Sequence, residues 1–175
     1  MKVDLSEFAS KVGGNVSIDI DDTCPHEKDL KCTTPVKGQV TLANTGTLLL
    51  IGGEIHTEVK LECGRCLSEF TQPVESTVEE EFRLEKIGDS IHILPMDEED
   101  IAPDLIQHNI LDVPELIRQN LLVALPIQPL CKPDCQGLCP TCGQNLNMGK
   151  CKCPPAESDS PFKVLAELLE DEKQE

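Results

Sequence analysis

Eight of the ten cysteines fall in four close pairs: Cys63/Cys66, Cys131/Cys135, Cys139/Cys142 and Cys151/Cys153. Thiolates paired at such spacings, with Gly or Pro among them, are how loops wrap a tetrahedral zinc ion. Four pairs make eight ligands, enough for two Cys₄ sites. Cys139-Pro-Thr-Cys142-Gly143 is the tightest knuckle, and Gly143 permits the turn that aims backbone N–H groups at sulfur. Its nearest complement is Cys151/Cys153, a pair of unusually short spacing. Cys63/Cys66 would then meet Cys131/Cys135 in a second site tying two parts of the chain together. The rival arrangement puts Cys131, Cys135, Cys139 and Cys142 around one zinc and leaves the rest free. Two sites are favoured, because free thiols in close pairs oxidise readily.

The remaining chemistry is sparse. Cys24 and Cys32 stand eight apart in a polar, Pro-containing loop and could bind metal with His26, but without knuckle spacing they read as surface thiols. Cys63-Gly-Arg-Cys66 also admits a thiol-redox reading, but such a motif opens a helix, and LSEFTQPV does not look like one. The histidines His26, His56, His92 and His108 lie in unrelated contexts, and no nucleophilic triad or phosphate loop emerges. A Cys₄ site has no open position for water and is structural by default. The chain therefore reads as a non-enzyme, with no catalytic residues.

The elements that must position these thiols follow from periodicity. Residues 15–85 read as β structure, with alternation at Val16–Ile20 and, more weakly, Val36–Leu42. Asn44-Thr-Gly46 is a turn signal. Thr47–Ile51 and Glu54–Leu61 flank Gly52-Gly53 like the arms of a hairpin, and the second arm runs directly into Cys63. Ile55, Thr57, Val59 and Leu61 share one face of that arm. Val74–Leu84 is a further strand, and the acidic stretch to Asp104 a loop. From Leu105 to Leu125 apolar residues recur at helical spacing, interrupted by Pro114, which opens a helix at its first turn if Asp112 caps it. Ser160-Pro161 begins a short amphipathic C-terminal helix carrying Phe162, Leu165, Leu168 and Leu169.

The fold expected is thus α+β: an antiparallel β-rich N-terminal part, one central helix, a cysteine-rich zinc-stapled loop and a short C-terminal helix. Its parts are a body over residues 1–128, a zinc-binding segment over 129–155 packed on that body, and a linker with helix over 156–175. The chain has 175 residues, no Trp or Tyr, and four Phe, so its core must be Leu, Ile and Val. Net charge is −17, from 32 acidic against 15 basic residues. That field repels phosphate backbones and anionic membrane, arguing against DNA or membrane binding. The plainly basic patch is Lys132, Lys150 and Lys152 in the cysteine-rich segment, read first as lysines solvating a loop and otherwise as a local RNA contact. There is no apolar leader and no aliphatic run long enough to span a bilayer, which points to the cytoplasm, where close cysteine pairs bind metal rather than form disulfides.

The blocks CGRCLSEF, LLVALPIQPLCKPDC, QGLCPTCGQNLN and SPFKVLAELL, in this order, resemble the YceD-like family of large ribosomal RNA subunit accumulation proteins. The resemblance covers roughly residues 45–170 and supports joining Cys63 and Cys66 to Cys131 and Cys135. It implies a bacterial cytoplasmic ribosome-biogenesis factor, without catalysis, that promotes accumulation of large-subunit ribosomal RNA. Its partner would be a large-subunit precursor, met through RNA or a basic ribosomal protein. The competing readings are a thiol-redox or metal-handling protein and an acidic adaptor that binds a basic protein without touching RNA.

Overall fold

The computed structural model describes residues 1–24, 30–96 and 105–153. Five strands form an antiparallel meander: β1 (Asn15–Asp22), β2 (Val36–Asn44), β3 (Leu48–Glu62), β4 (Glu69–Ile87) and β5 (Ser90–Pro95), in that spatial order. Two of them are long because their alternation is long. Ile55, Thr57 and Val59 in β3, and Val74, Val78 and Phe82 in β4, are buried on one face. Glu54, His56, Glu58, Glu75 and Glu79 are exposed on the other. The pair runs in register from Leu48↔Arg83 to Glu62↔Glu69, and its turn is the first cysteine pair.

A second small sheet covers the inner face of the meander. We label its strands β6 (Lys2–Asp4), β7 (Ile106–Gln107) and β8 (Ile110–Asp112), in the order β6-β8-β7. A four-residue helix, α1 (Ser6–Ala9), follows β6, and the longer helix α2 (Val113–Ala124) follows β8. Val113, Leu116, Ile117 and Leu121 of α2 join the strand residues in one Leu/Ile/Val core, together with Leu5, Ala9, Leu105 and Leu111. Burial of such side chains is worth about 1.5–3 kcal/mol each.

Asn44 is buried among these apolar groups, but its amide donates to the Phe8 and Ala9 carbonyls and its oxygen accepts from Gly46 N–H. That satisfies it and ties α1 to the β2–β3 turn. The turn signal at Asn44–Gly46 is therefore correct, and Gly46 adopts φ 98° there.

Two expected elements differ. Gly52-Gly53 is no hairpin; both glycines lie inside the continuous strand β3. Gly53 is needed for approach instead of turning. A β-carbon on it would stand 2.2 Å from the Gln39 carbonyl oxygen and 2.8 Å from Val40 Cα. The expected helix from Leu105 is also shortened. Residues 106–112 form a hairpin whose two-residue loop, His108-Asn109, has φ of 53° and 62°, the signature of a primed turn. Asn109 is held in this conformation by bonding β5 at both Ile91 O and Ile93 N. The helix then starts where the capping reading places it: the Asp112 carboxylate accepts from Glu115 N–H at 3.3 Å and Pro114 sits in the first turn. It stops before Pro126, with Leu125 extended, as a residue preceding proline prefers.

The acidic stretch at 97–104 and the C-terminal helix with its linker at 156–175 lie outside the described residues. Among the described residues, no helix is long and apolar enough to cross a membrane.

Because the obstacle at Gly53 is backbone, Gly53→Ala should destabilise the sheet by about 1–3 kcal/mol, the usual cost of overpacking. Gly52→Ala has its nearest neighbour at 3.9 Å and should cost much less. Urea unfolding of the two variants side by side checks the difference.

Candidate metal centres

The β3–β4 turn is built for sulfur. Cys63 N–H bonds Ser68 O and Leu67 N–H bonds Cys63 O, closing a tight loop with Leu67 at φ 56°. This places Cys63 and Cys66 on one side of the hairpin end. The segment after α2 arrives beside them: Gly64 N–H donates to Pro129 O at 2.8 Å, and a β-carbon on Gly64 would lie 3.5 Å from Gln128 Cγ. Cys131 and Cys135 follow directly. Their sulfurs meet those of the turn, with Cys63 to Cys135 at 3.7 Å and Cys66 to Cys131 at 3.6 Å.

The second knuckle closes locally. Cys139 N–H bonds Gln144 O, Gly143 N–H bonds Cys139 O, and Gly143 adopts φ 72°. Cys151 brings its sulfur to 3.4 Å from Cys139. The eight sulfurs thus fall into two groups, Cys63/Cys66/Cys131/Cys135 and Cys139/Cys142/Cys151/Cys153, with the ligand atoms of each group within 4.8 Å of one another. This grouping is the two-site arrangement favoured over its rival in the sequence, in which Cys131, Cys135, Cys139 and Cys142 would share one centre. For tetrahedral zinc with Zn–S near 2.3 Å, sulfur–sulfur separations come to about 3.8 Å. Both donor sets fit a thiophilic ion, and their sulfurs stand far too far apart for disulfides.

Electrostatics point the same way. Backbone N–H groups of Cys131, Cys66 and Arg65 aim at the Cys63 sulfur and hold its pKa down at about 6. The Ser68 hydroxyl and N–H lower Cys66. In the same group Cys131 is pushed up to about 12 by desolvation and by the thiols around it. The second group repeats the pattern. The N–H groups of Cys142 and Thr141 hold Cys139 at about 6, while Cys142 and desolvation raise Cys153 to about 12. Each cluster thus holds a favoured thiolate, Cys63 or Cys139, beside a thiol that resists ionisation, Cys131 or Cys153, a conflict that a divalent cation at its centre removes.

The two groups interlock through Arg65. Its guanidinium donates to Cys135 O at 3.0 Å, and its own carbonyl accepts from Leu138 N–H. Gly137 (φ 72°) lies against it, where a β-carbon would stand 3.1 Å from Arg65 O. Asn147 adds an N–H···S contact to Cys135 at 3.3 Å. Sequence reasoning misses both Arg65 and Asn147; the signal for Asn147 is the polar loop that joins the second and third pairs of the cysteine-rich segment.

The redox reading of Cys63/Cys66 requires a helix after the first thiol, and the structure has a strand-to-strand turn. Cys24 and Cys32 correct another expectation. They are joined in a disulfide with Cα atoms 5.7 Å apart, and they pack against the core. Cys32 also bridges to Val59 of β3, so it belongs to the sheet's periphery. His56 is on the exposed face of β3, His92 is exposed on β5 and His108 sits in the primed turn; none is near a cysteine group. His26 is outside the described residues. Lys132, Lys150 and Lys152 are all exposed on the cysteine lobe, with Asp134 3.8 Å from Lys132.

Comparison with known proteins gives a consistent result. Residues 51–169 match the family described as large ribosomal RNA subunit accumulation protein YceD. A chloroplastic large ribosomal RNA subunit accumulation protein YCED homolog 1 of Zea mays is 30% identical over 155 residues, covering 74% of this chain and 53% of the relative. The Arabidopsis thaliana protein of the same name is 27% identical, covering 95% and 56%. An uncharacterized protein of Mycobacterium tuberculosis is 31% identical over 98 residues, 56% of this chain and 45% of the relative. The chain spans about half the length of the curated relatives it matches. No solved structure matches it.

If the thiols hold a metal, acid should release it in a defined window. Cys63 and Cys139 have depressed pKa values near 6 even without a cation, and a bound cation lowers a thiolate further, so protons should displace it only below about 6. A chromophoric chelator should therefore detect little release in neutral or mildly alkaline buffer and progressive release only at pH below about 6. Cys135→Ser should lower the metal content by one equivalent, read by elemental analysis.

Proposed function

The chain belongs to the YceD family of large ribosomal RNA subunit accumulation proteins, and from that premise we propose that it is a non-enzymatic ribosome-biogenesis factor. It promotes accumulation or processing of large-subunit ribosomal RNA in the bacterial cytoplasm, and two structural zinc ions hold its cysteine lobe together. The observation that carries this reading is the family match itself, which runs across all eight clustered cysteines. The closed donor sets support the absence of catalysis, because four thiolates around zinc leave no position for water or substrate.

The working surface in this reading is the cysteine lobe. Lys132, Lys150 and Lys152 project from it while the rest of the chain carries strong negative charge. Such a distribution restricts phosphate contact to one end and orients the molecule on a ribosome precursor. Zinc would hold the loop that carries these lysines and take no part in a reaction.

Depletion of the protein should lower large-subunit RNA relative to small-subunit RNA, measured by quantitative northern blot. Wild type should restore the ratio and Cys131→Ser/Cys135→Ser should not. An unchanged ratio on depletion would sink the proposal. In vitro, Lys132→Glu/Lys150→Glu/Lys152→Glu should weaken RNA binding and reduce its salt slope by about one for each phosphate no longer neutralised. Unaltered binding would move the docking point to a ribosomal protein.

A further inference from the structure

Far from the cysteine lobe, the meander ends in an open edge. Strand β1 (Asn15–Asp22) pairs with β2 and, among the described residues, with nothing on its other side. Its inner-face residues Val16 and Ile18 stand opposite Leu42 and Val40, which are fully buried. Yet Val16 is 48% exposed, because nothing described covers the sheet at this corner. The gap between β1 and the β6–α1 segment is a groove of about 590 Å³, lined by Met1, Val3, Phe8, Val16, Ile18 and Leu42.

The outer face of the same strand has the opposite chemistry. Asp19 and Asp21 stand across from Gln39 and Lys37, with Asp22 at the strand end. Asp4, Glu7 and Lys11 also line the groove, with Lys11 paired to Glu7, so the acidic excess there comes from Asp4 and the β1 aspartates. The groove lies level with Leu50 through Asn15↔Ala43↔Leu50. Cys63 is thirteen residues further along the chain from there, on the order of 40 Å at about 3.3 Å per residue.

We propose that the β1 edge and this groove form a docking site for an extended peptide in which basic and apolar residues alternate. Adding a sixth strand satisfies the outward backbone groups of β1. Directly opposed residues of neighbouring strands share a face. The added strand therefore places one set of side chains over Val16 and Ile18, completing the core, and the other set beside Asp19 and Asp21, where Lys or Arg is favoured. A second copy of this chain is the wrong occupant. Pairing β1 with itself would gather Asp19, Asp21 and Asp22 of both copies on one ribbon, and like charges on neighbouring strands repel. The partner is thus a flexible basic segment, and its docking here does not depend on the zinc lobe.

The test is fluorescence anisotropy on the full chain, as purified, with labelled eight-residue peptides matched to the length of β1. One peptide alternates Lys and Val, one alternates Glu and Val, and one holds the Lys and Val residues in separate blocks. The alternating Lys peptide should bind tighter than either other peptide by about tenfold or more, and should slow amide exchange along β1. Val16→Glu should remove that binding. Asp19→Lys/Asp21→Lys should transfer preference to the Glu peptide, which shows an intact fold and a charge-read register together. Equal binding of the block peptide, or unchanged binding by Val16→Glu, would overturn the site. So would outward-facing β1 amides that are already protected in the free protein together with a failure to bind, since the chain would then fill its own edge. None of these readouts involves ribosomal RNA, so their failure leaves the depletion experiment standing.

Discussion

Mutual repulsion among crowded thiolates is the constraint on which the C-terminal half of this protein depends. Four sulfurs within 4.8 Å cannot all ionise in a partly dry site unless a cation shares their charge. Backbone N–H groups already favour the thiolates of Cys63 and Cys139, and Ser68 favours that of Cys66. Everything around them, from the hairpin turn to the left-handed Gly143, serves to bring the remaining sulfurs of each group to the same point. Beyond α2 the described chain has little apolar core of its own: Leu130 and Leu138 pack with Phe70 around the first cysteine group, and most of the surrounding residues are exposed.

The long β3–β4 hairpin is the means of delivery. Its alternating inner face anchors it to α2 and the small sheet, and the same register fixes where its turn emerges. A slip of one residue would turn Ile55 and Val59 outward and rotate Cys63 away from Cys135. Packing in the body and sulfur geometry at the tip are therefore one problem. Arg65 extends the coupling to the second group, because its backbone and side chain both bond the 135–138 segment.

Much of this is legible in the sequence, and the misses have physical causes. The Asp112 cap with Pro114 and the alternation of EIHTEVKL reflect local rules, and each stands where those rules put it, whereas spacing marks the cysteines as pairs but does not decide which pairs join. Gly52-Gly53 misleads because glycine serves both turns and close strand approach, and only the neighbouring Gln39 carbonyl distinguishes them. Residues 105–112 have helical apolar spacing by coincidence; Asn109, held by β5, overrides it with a primed turn. Strand β5 escapes the reading although Ile91 and Ile93 alternate after Gly88. The Cys24–Cys32 disulfide has no knuckle spacing to mark it, and Cys32 also bridges Val59 of β3, a tertiary contact with no local signature. The metal itself is legible only as a donor set.

The two cysteine groups differ in how much chain each encloses. In the second, Cys139 and Cys151 are 12 residues apart, whereas in the first Cys63 and Cys135 are 72 apart. Closing a loop costs entropy that grows with the logarithm of its length, and non-local contacts form late. The second group can assemble from its own short segment, early and without help. The first can close only after β3, β4 and α2 have settled, since those elements carry its two halves. Its closure is thus a report that the body has folded, and the lysine-bearing lobe becomes fixed to the sheet only in molecules that have passed that point.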